Sequence, residues 1–186
     1  MIDSGMIHVG SFFIEVETAL MILMLSIASI TDIVSRKIPN WLILAGITSS
    51  FLYQVLSPYG FGFSTWLAGL SVGLLTLFPL YALRVMGAGD VKLMAAVGSF
   101  LGGSAAFSTL IYTLISGGVL ALVFILFKRT WKSSFQNVTL IGMHMFSSVL
   151  AKRVYLAEYP VQTSGHLPYA VAIFAGTLLH LYVFRG

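Results

Sequence analysis

Residues 105–127, AAFSTLIYTLISGGVLALVFILF, run for 23 positions without one charged side chain. As a helix at 1.5 Å per residue, such a stretch is about 35 Å long, enough to cross the roughly 30 Å hydrocarbon core of a bilayer. A lipid-facing barrel strand would be about 10 residues long and would alternate in polarity, and this run does neither. The rest of the chain has the same character. Of its 186 residues 58% are hydrophobic and only 9% charged, with a mean hydropathy of +0.97. A soluble domain carries roughly 25% charged residues, and no fold of this size hides so much apolar surface from water. The chain has no cysteine, which excludes a disulfide scaffold, a thiol nucleophile and Cys-type zinc sites. Its net charge of +4 comes from ten basic residues scattered in short clusters between apolar runs, a poor footprint for nucleic acid.

Working outward from 105–127, charges and turn residues divide the sequence into an all-α, polytopic membrane protein. One domain over 1–186 is expected, with about six transmembrane helices at about 12–34, 40–56, 64–83, 90–103, 105–127 and 167–184. The fourth is short and is closed by Gly102 and Gly103. Residues 133–153 form a different pattern. Phe135, Val138, Ile141, Met145, Phe146, Val149 and Leu150 share one side of a helical wheel, and basic residues flank the stretch. This predicts an amphipathic helix lying in the headgroup plane. The first 10 residues carry no Lys or Arg, so the basic region of a cleavable signal peptide is absent there. Arg36 and Lys37, Arg84 and Lys92, and the cluster Lys128, Arg129 and Lys132 fall on alternate connections. The charge bias therefore predicts that 35–40, 84–92 and 128–166 face the cytoplasm.

The chemistry available is narrow because the chain has six acids. Asp3, Glu15, Glu17 and Glu158 fall in the amino-terminal tail, the outer end of the first segment and a polar loop. Asp32 and Asp90 alone lie at the cytoplasmic ends of apolar segments. An aspartate in a membrane segment is costly, so two at one depth point to a function. Asp90 follows Gly87-Ala88-Gly89, where Gly87 and Gly89 permit a bend, close approach of a substrate backbone and access to φ > 0. Asp32 stands about a turn above a hairpin in which Pro39 disfavours helix at Ile38 and Asn40 is the expected N-cap of the next segment. Two carboxylates brought together can share a proton, one activating water and the other donating to a carbonyl, with no metal or cofactor required. Lys92 is a candidate for tuning the pair, although two residues from Asp90 it does not share its helix face.

TDIVSRKIPN at 31–40 and GAGDVKL at 87–93 resemble the paired motifs of the GxGD-type intramembrane aspartic peptidases, in particular the bacterial type IV prepilin peptidases. The similarity covers roughly 18–184. It includes Leu167-Pro168-Tyr169-Ala170, which is similar to a late Pro-aromatic-Gly segment with Ala170 in place of glycine. The resemblance implies an aspartic endopeptidase of the bacterial inner membrane. Asp32 and Asp90 would be catalytic and Gly87, Gly89, Lys92, Pro39 and Asn40 would support them. It would cut the basic leader from a prepilin or pseudopilin at the cytoplasmic face, in the setting of a pilus assembly machinery. Many members carry a cytoplasmic insertion with paired cysteines and methylate the new amino terminus. The short, cysteine-free form resembles the peptidases of tight-adherence (Flp) pili, in which that activity is not expected.

Other protease classes fit poorly. No HExxH motif surrounds His8, His144, His166 or His180, and Ser116-Gly117 lacks the glycine two residues before the serine that a Gly-x-Ser-Gly nucleophile motif needs. Two non-proteolytic readings stand beside the peptidase. One is a small transporter or proton channel relaying protons through the aspartates, and the other is a non-catalytic assembly subunit of a secretion machine.

Overall fold

The structure is a computed structural model, and it describes residues 6–9, 12–56, 60–83, 86–128 and 168–185. Six α-helices form nearly all of it: α1 (Val16–Ser35), α2 (Asn40–Phe51), α3 (Phe63–Ala82), α4 (Ala88–Leu101), α5 (Gly103–Lys128) and α6 (Tyr169–Arg185). The helical class is as expected. The count of six full spans is not. Among the described residues, three helices are long and apolar enough to cross a membrane: Val16–Ser35, Phe63–Ala82 and Gly103–Phe124. Asn40–Leu56 and Tyr169–Phe184 are shorter apolar helices, and α4 has 14 residues, about 21 Å of rise. The predicted interfacial helix at 133–153 lies outside the described residues.

The first segment also starts later than its hydropathy suggests. β1 (Met6–Val9) and β2 (Phe12–Glu15) pair antiparallel, with Met6 opposite Glu15 and Val9 opposite Phe12. Phe12, Phe13 and Ile14 are as apolar as the helix that follows, but aromatic and β-branched residues suit a strand. Hydropathy alone does not separate the two.

The chain divides into two compact units, one of Met1–Gly117 with Pro168–Gly186 and one of Gly118–Leu167. In the first, α4 is the central element: Val91 and every residue from Leu93 to Phe100 are buried. A short helix wrapped by protein need not reach both lipid boundaries itself. Its ends are set by glycine. Gly87 is the N-cap, and Gly102, at φ 79°, stops the helix where a side chain would be strained. α3 lies against α4 with backbones almost touching. A Cβ on Gly69 would strike the Gly98 carbonyl and one on Gly98 would strike that of Gly69, while one on Gly73 would strike the Met94 carbonyl. This is the small-residue contact by which membrane helices associate. α1 buries Met21, Met24, Leu25 and Ala28 on one face and packs against α6.

At the end of α1 away from Asp32, a polar clasp joins three elements. α2 runs on into a π-helical turn, Leu52–Leu56, which holds the buried Gln54. Gln54 Nε2 donates to Glu17 Oε1 (2.5 Å) and to the Phe100 carbonyl (2.8 Å), and its Oε1 accepts from the Phe61 N–H (2.9 Å). Nearby, Ser50 Oγ is 2.7 Å from Ser99 Oγ and accepts from Trp66 Nε1 at 3.1 Å.

Candidate active site

α1 ends at Ser35 because Arg36 takes φ 53°, turning the chain back while its N–H closes on the Asp32 carbonyl at 2.9 Å. Ile38 and Pro39 follow. Pro39, at φ −64° and ψ 131°, occupies the N-cap position of α2, so α2 starts at Asn40 without a side-chain cap. Asn40 is therefore not the expected cap. Its Oδ1 instead accepts from Lys92 Nζ at 3.2 Å. This short return brings Ile38 against Gly89, where a Cβ would lie 3.5 Å from the isoleucine side chain. The two sequence motifs thus meet directly.

Asp32 lies on the buried face of α1, in line with Ala28 and Ser29. Its Oδ2 accepts the backbone N–H of Ala170 at 3.1 Å, and Ser29 Oγ donates to the Ala170 carbonyl at 3.3 Å. The reason is local. Pro168, which has no N–H of its own, immediately precedes α6, and the first N–H groups of a helix have no partner inside it. Asp32 supplies one from another helix, 138 residues away. Ala170 is fully buried at this contact.

Asp90 sits in the first turn of α4, and the backbone of Gly87 hydrogen-bonds to its carboxylate. This is the side chain of the third helical residue reaching back to the N-cap, as in a capping box. A Cβ on Gly87 would stand 3.2 Å from Asp90 Oδ2. Gly87 has φ −74°, and neither it nor Gly89 is among the positive-φ residues, so the left-handed freedom of glycine is used at neither position. What glycine provides at position 87 is bare space beside a carboxylate. The charge of Asp32 acts on Asp90, and that of Asp90 acts on Tyr169. Tyr169 in turn lies on Gly117, where a Cβ would come within 2.9 Å of its ring and hydroxyl.

The site thus draws on α1, α4 and the start of α6. Of the residues singled out in the sequence, Asp32, Asp90, Gly87 and Gly89 come together. Pro39 and Asn40 begin α2, and Lys92 bonds to Asn40 rather than to either acid. Sequence reasoning does not single out Tyr169 and Ala170 as site residues. The only signal available for them is the Pro168-aromatic pattern, because a backbone donor leaves no trace in residue type. Among the described residues, no three His, Asp or Glu side chains gather into a cage for a cation.

A family model described as the type IV leader peptidase family matches residues 19–126, a stretch that holds both aspartates and both motifs. Neither a curated protein nor a solved structure matches the chain. The match covers more than half of the sequence, and the chain belongs to the type IV leader peptidase family.

Proposed function

We propose that the chain is an aspartic endopeptidase that removes the short basic leader of an Flp-like type IV prepilin or pseudopilin, with Asp32 and Asp90 as the catalytic pair. The observation that carries this reading is the convergence of the two acids. They come from different helices and different motifs, yet the fold sets the motifs against each other, with Ile38 on Gly89 and Asp90 beside the exposed Gly87. One carboxylate, ionised, takes a proton from water as its oxygen attacks the scissile carbonyl carbon. The other, protonated, gives its proton to the carbonyl oxygen. Proton return to the amide nitrogen then releases the two peptides. The Ala170 N–H holds Asp32 in one orientation through this cycle.

The basic residues that lie near the two acids in the sequence, Arg36, Lys37, Arg84 and Lys92, support a site near the cytoplasmic face of the bacterial inner membrane. A leader cut just outside a hydrophobic helix would reach the acids at that depth. The test is co-expression with a prepilin that carries a basic leader. Asp32→Asn and Asp90→Asn should each abolish the shortened product while the enzyme remains abundant in the membrane. Cleavage near the wild-type rate in either variant would sink the aspartic mechanism.

A further inference from the structure

A groove of about 320 Å³ opens between α2, α3 and α4, on the far side of α4 from the acids. Asp90 and Lys92 are two residues apart, about 200° around the helix. None of Asp32, Asp90 and Tyr169 lines the groove. Its walls are Ile43, Leu44, Ile47, Leu70 and Leu74, with Ala95 at its floor and Lys92 and Asn40 at one end. From Asn40 to Ile47 it follows two turns of α2, about 10 Å. One end is cationic and the rest is apolar, which is the outline of an amphiphile.

Lys92 is the charge that needs a partner. Its bond to Asn40 Oδ1 is to a neutral group, leaves two of its three protons, and leaves the Asn40 amide nitrogen available as a donor. No described carboxylate pairs with it. At a membrane boundary an ammonium gains from an anion, and a phosphate oxygen would replace the neutral amide with a charge-assisted bond. We infer that this groove is a binding site for an anionic phospholipid, with the headgroup phosphate held by Lys92 and Asn40 and an acyl chain lying along Ile43, Ile47, Leu70 and Leu74. A prepilin helix is the poorer occupant, because a peptide seated here would have α4 between it and the acids.

The experiment uses the purified full-length chain and reads lipid retention, not cleavage, so its outcome is independent of the peptidase reading. After detergent delipidation, the protein is offered phosphatidylglycerol and phosphatidylcholine with identical chains, and retained lipid is counted by native mass spectrometry. The wild type should retain phosphatidylglycerol about tenfold over phosphatidylcholine, the scale of one charge-assisted bond. Lys92→Gln should erase that preference, and Lys92→Arg should keep it. Leu74→Trp, which fills the groove and leaves the lysine, should lower retention of both lipids. Equal retention of the two lipids by the wild type would overturn the proposal, as would an undiminished preference in Lys92→Gln. A cysteine at Leu44 that resists a membrane-soluble maleimide in the delipidated protein would mean that protein fills the groove, and would overturn it too.

Discussion

Asp32 does two jobs at once, and substitutions can separate them. Its carboxylate is a candidate catalytic group and also the acceptor for the Ala170 N–H at the start of α6. An asparagine side chain keeps a carbonyl oxygen that can accept the same N–H, so Asp32→Asn should leave folding intact. Alanine keeps nothing, and a buried backbone donor left unpaired costs about 1–3 kcal/mol. Asp32→Ala should therefore be inactive and also melt earlier in detergent, whereas Asp32→Asn should be inactive with an unchanged melting temperature. The glycines separate in the same way. A methyl at Gly87 would press on Asp90 Oδ2 at 3.2 Å, while one at Gly89 would meet Ile38 at an ordinary 3.5 Å. Gly87→Ala should lower kcat/KM for prepilin cleavage about tenfold through small displacement of the carboxylate, and Gly89→Ala should stay near wild type. Equal loss in both variants would mean that the loop is sensitive to bulk in general and not at the carboxylate. The aspartates are legible in the sequence because acids are rare in apolar segments. The unequal roles of the two glycines are not, since they depend on which atoms the fold sets beside each Cα.

At the scale of elements, hydropathy marks where apolar chain runs and says little about how each run ends. It predicts a helix over 40–56, and the chain is helical there. The last turn, however, is a π-helix that carries a buried glutamine bonded to Glu17 and Phe100, residues 37 and 46 positions away. Nothing within the segment announces partners so remote. Gln54→Leu keeps the volume and deprives the Phe61 N–H and the Phe100 carbonyl of their partner. It should destabilise the fold by about 2 kcal/mol, read as a lower melting temperature, with cleavage by the surviving folded protein little changed because the acids lie at the other end of α1. The α3–α4 contact should behave differently. Leucine at Gly69 would force apart two backbones that touch at the Gly98 carbonyl, and overpacking of this kind costs about 3 kcal/mol. Because α4 carries Asp90 in its first turn, Gly69→Leu should lower folded yield and specific activity together. A variant with full specific activity would show that α4 can shift without moving its carboxylate.

At the scale of the molecule, the two polar sites mark opposite ends of α1. Glu17 and Asp32 are 15 residues apart on one helix, about 22 Å along its axis. The positive residues gather at the Asp32 end: Arg36 and Lys37 follow α1, and Lys92 lies in the second turn of α4. At the Gln54 end, Gly60, Phe61 and Gly62 are uncharged, as is the sequence from 57 to 59 that precedes them. The positive-inside bias supports the proposed orientation, with the acids on the cytoplasmic side and the clasp on the other. Because the chain has no cysteine, each end can be marked by a single one. Phe61 is 76% exposed and Ser35 is exposed, so cysteines at either position should be reachable from water on their own side without disturbing packing. In intact cells with a permeable outer envelope, an impermeant maleimide should label Phe61→Cys and spare Ser35→Cys, and lysis should expose Ser35→Cys to label. The short helices make this more than a formality. α4, at about 21 Å, has no length to spare, so its orientation rests on the connections that flank it and not on its own hydropathy. Labelling of Ser35→Cys in intact cells would place Asp32 and Asp90 outside, on the wrong side for a leader that carries its charge in the cytoplasm, and the proposed substrate would have to be abandoned along with the orientation.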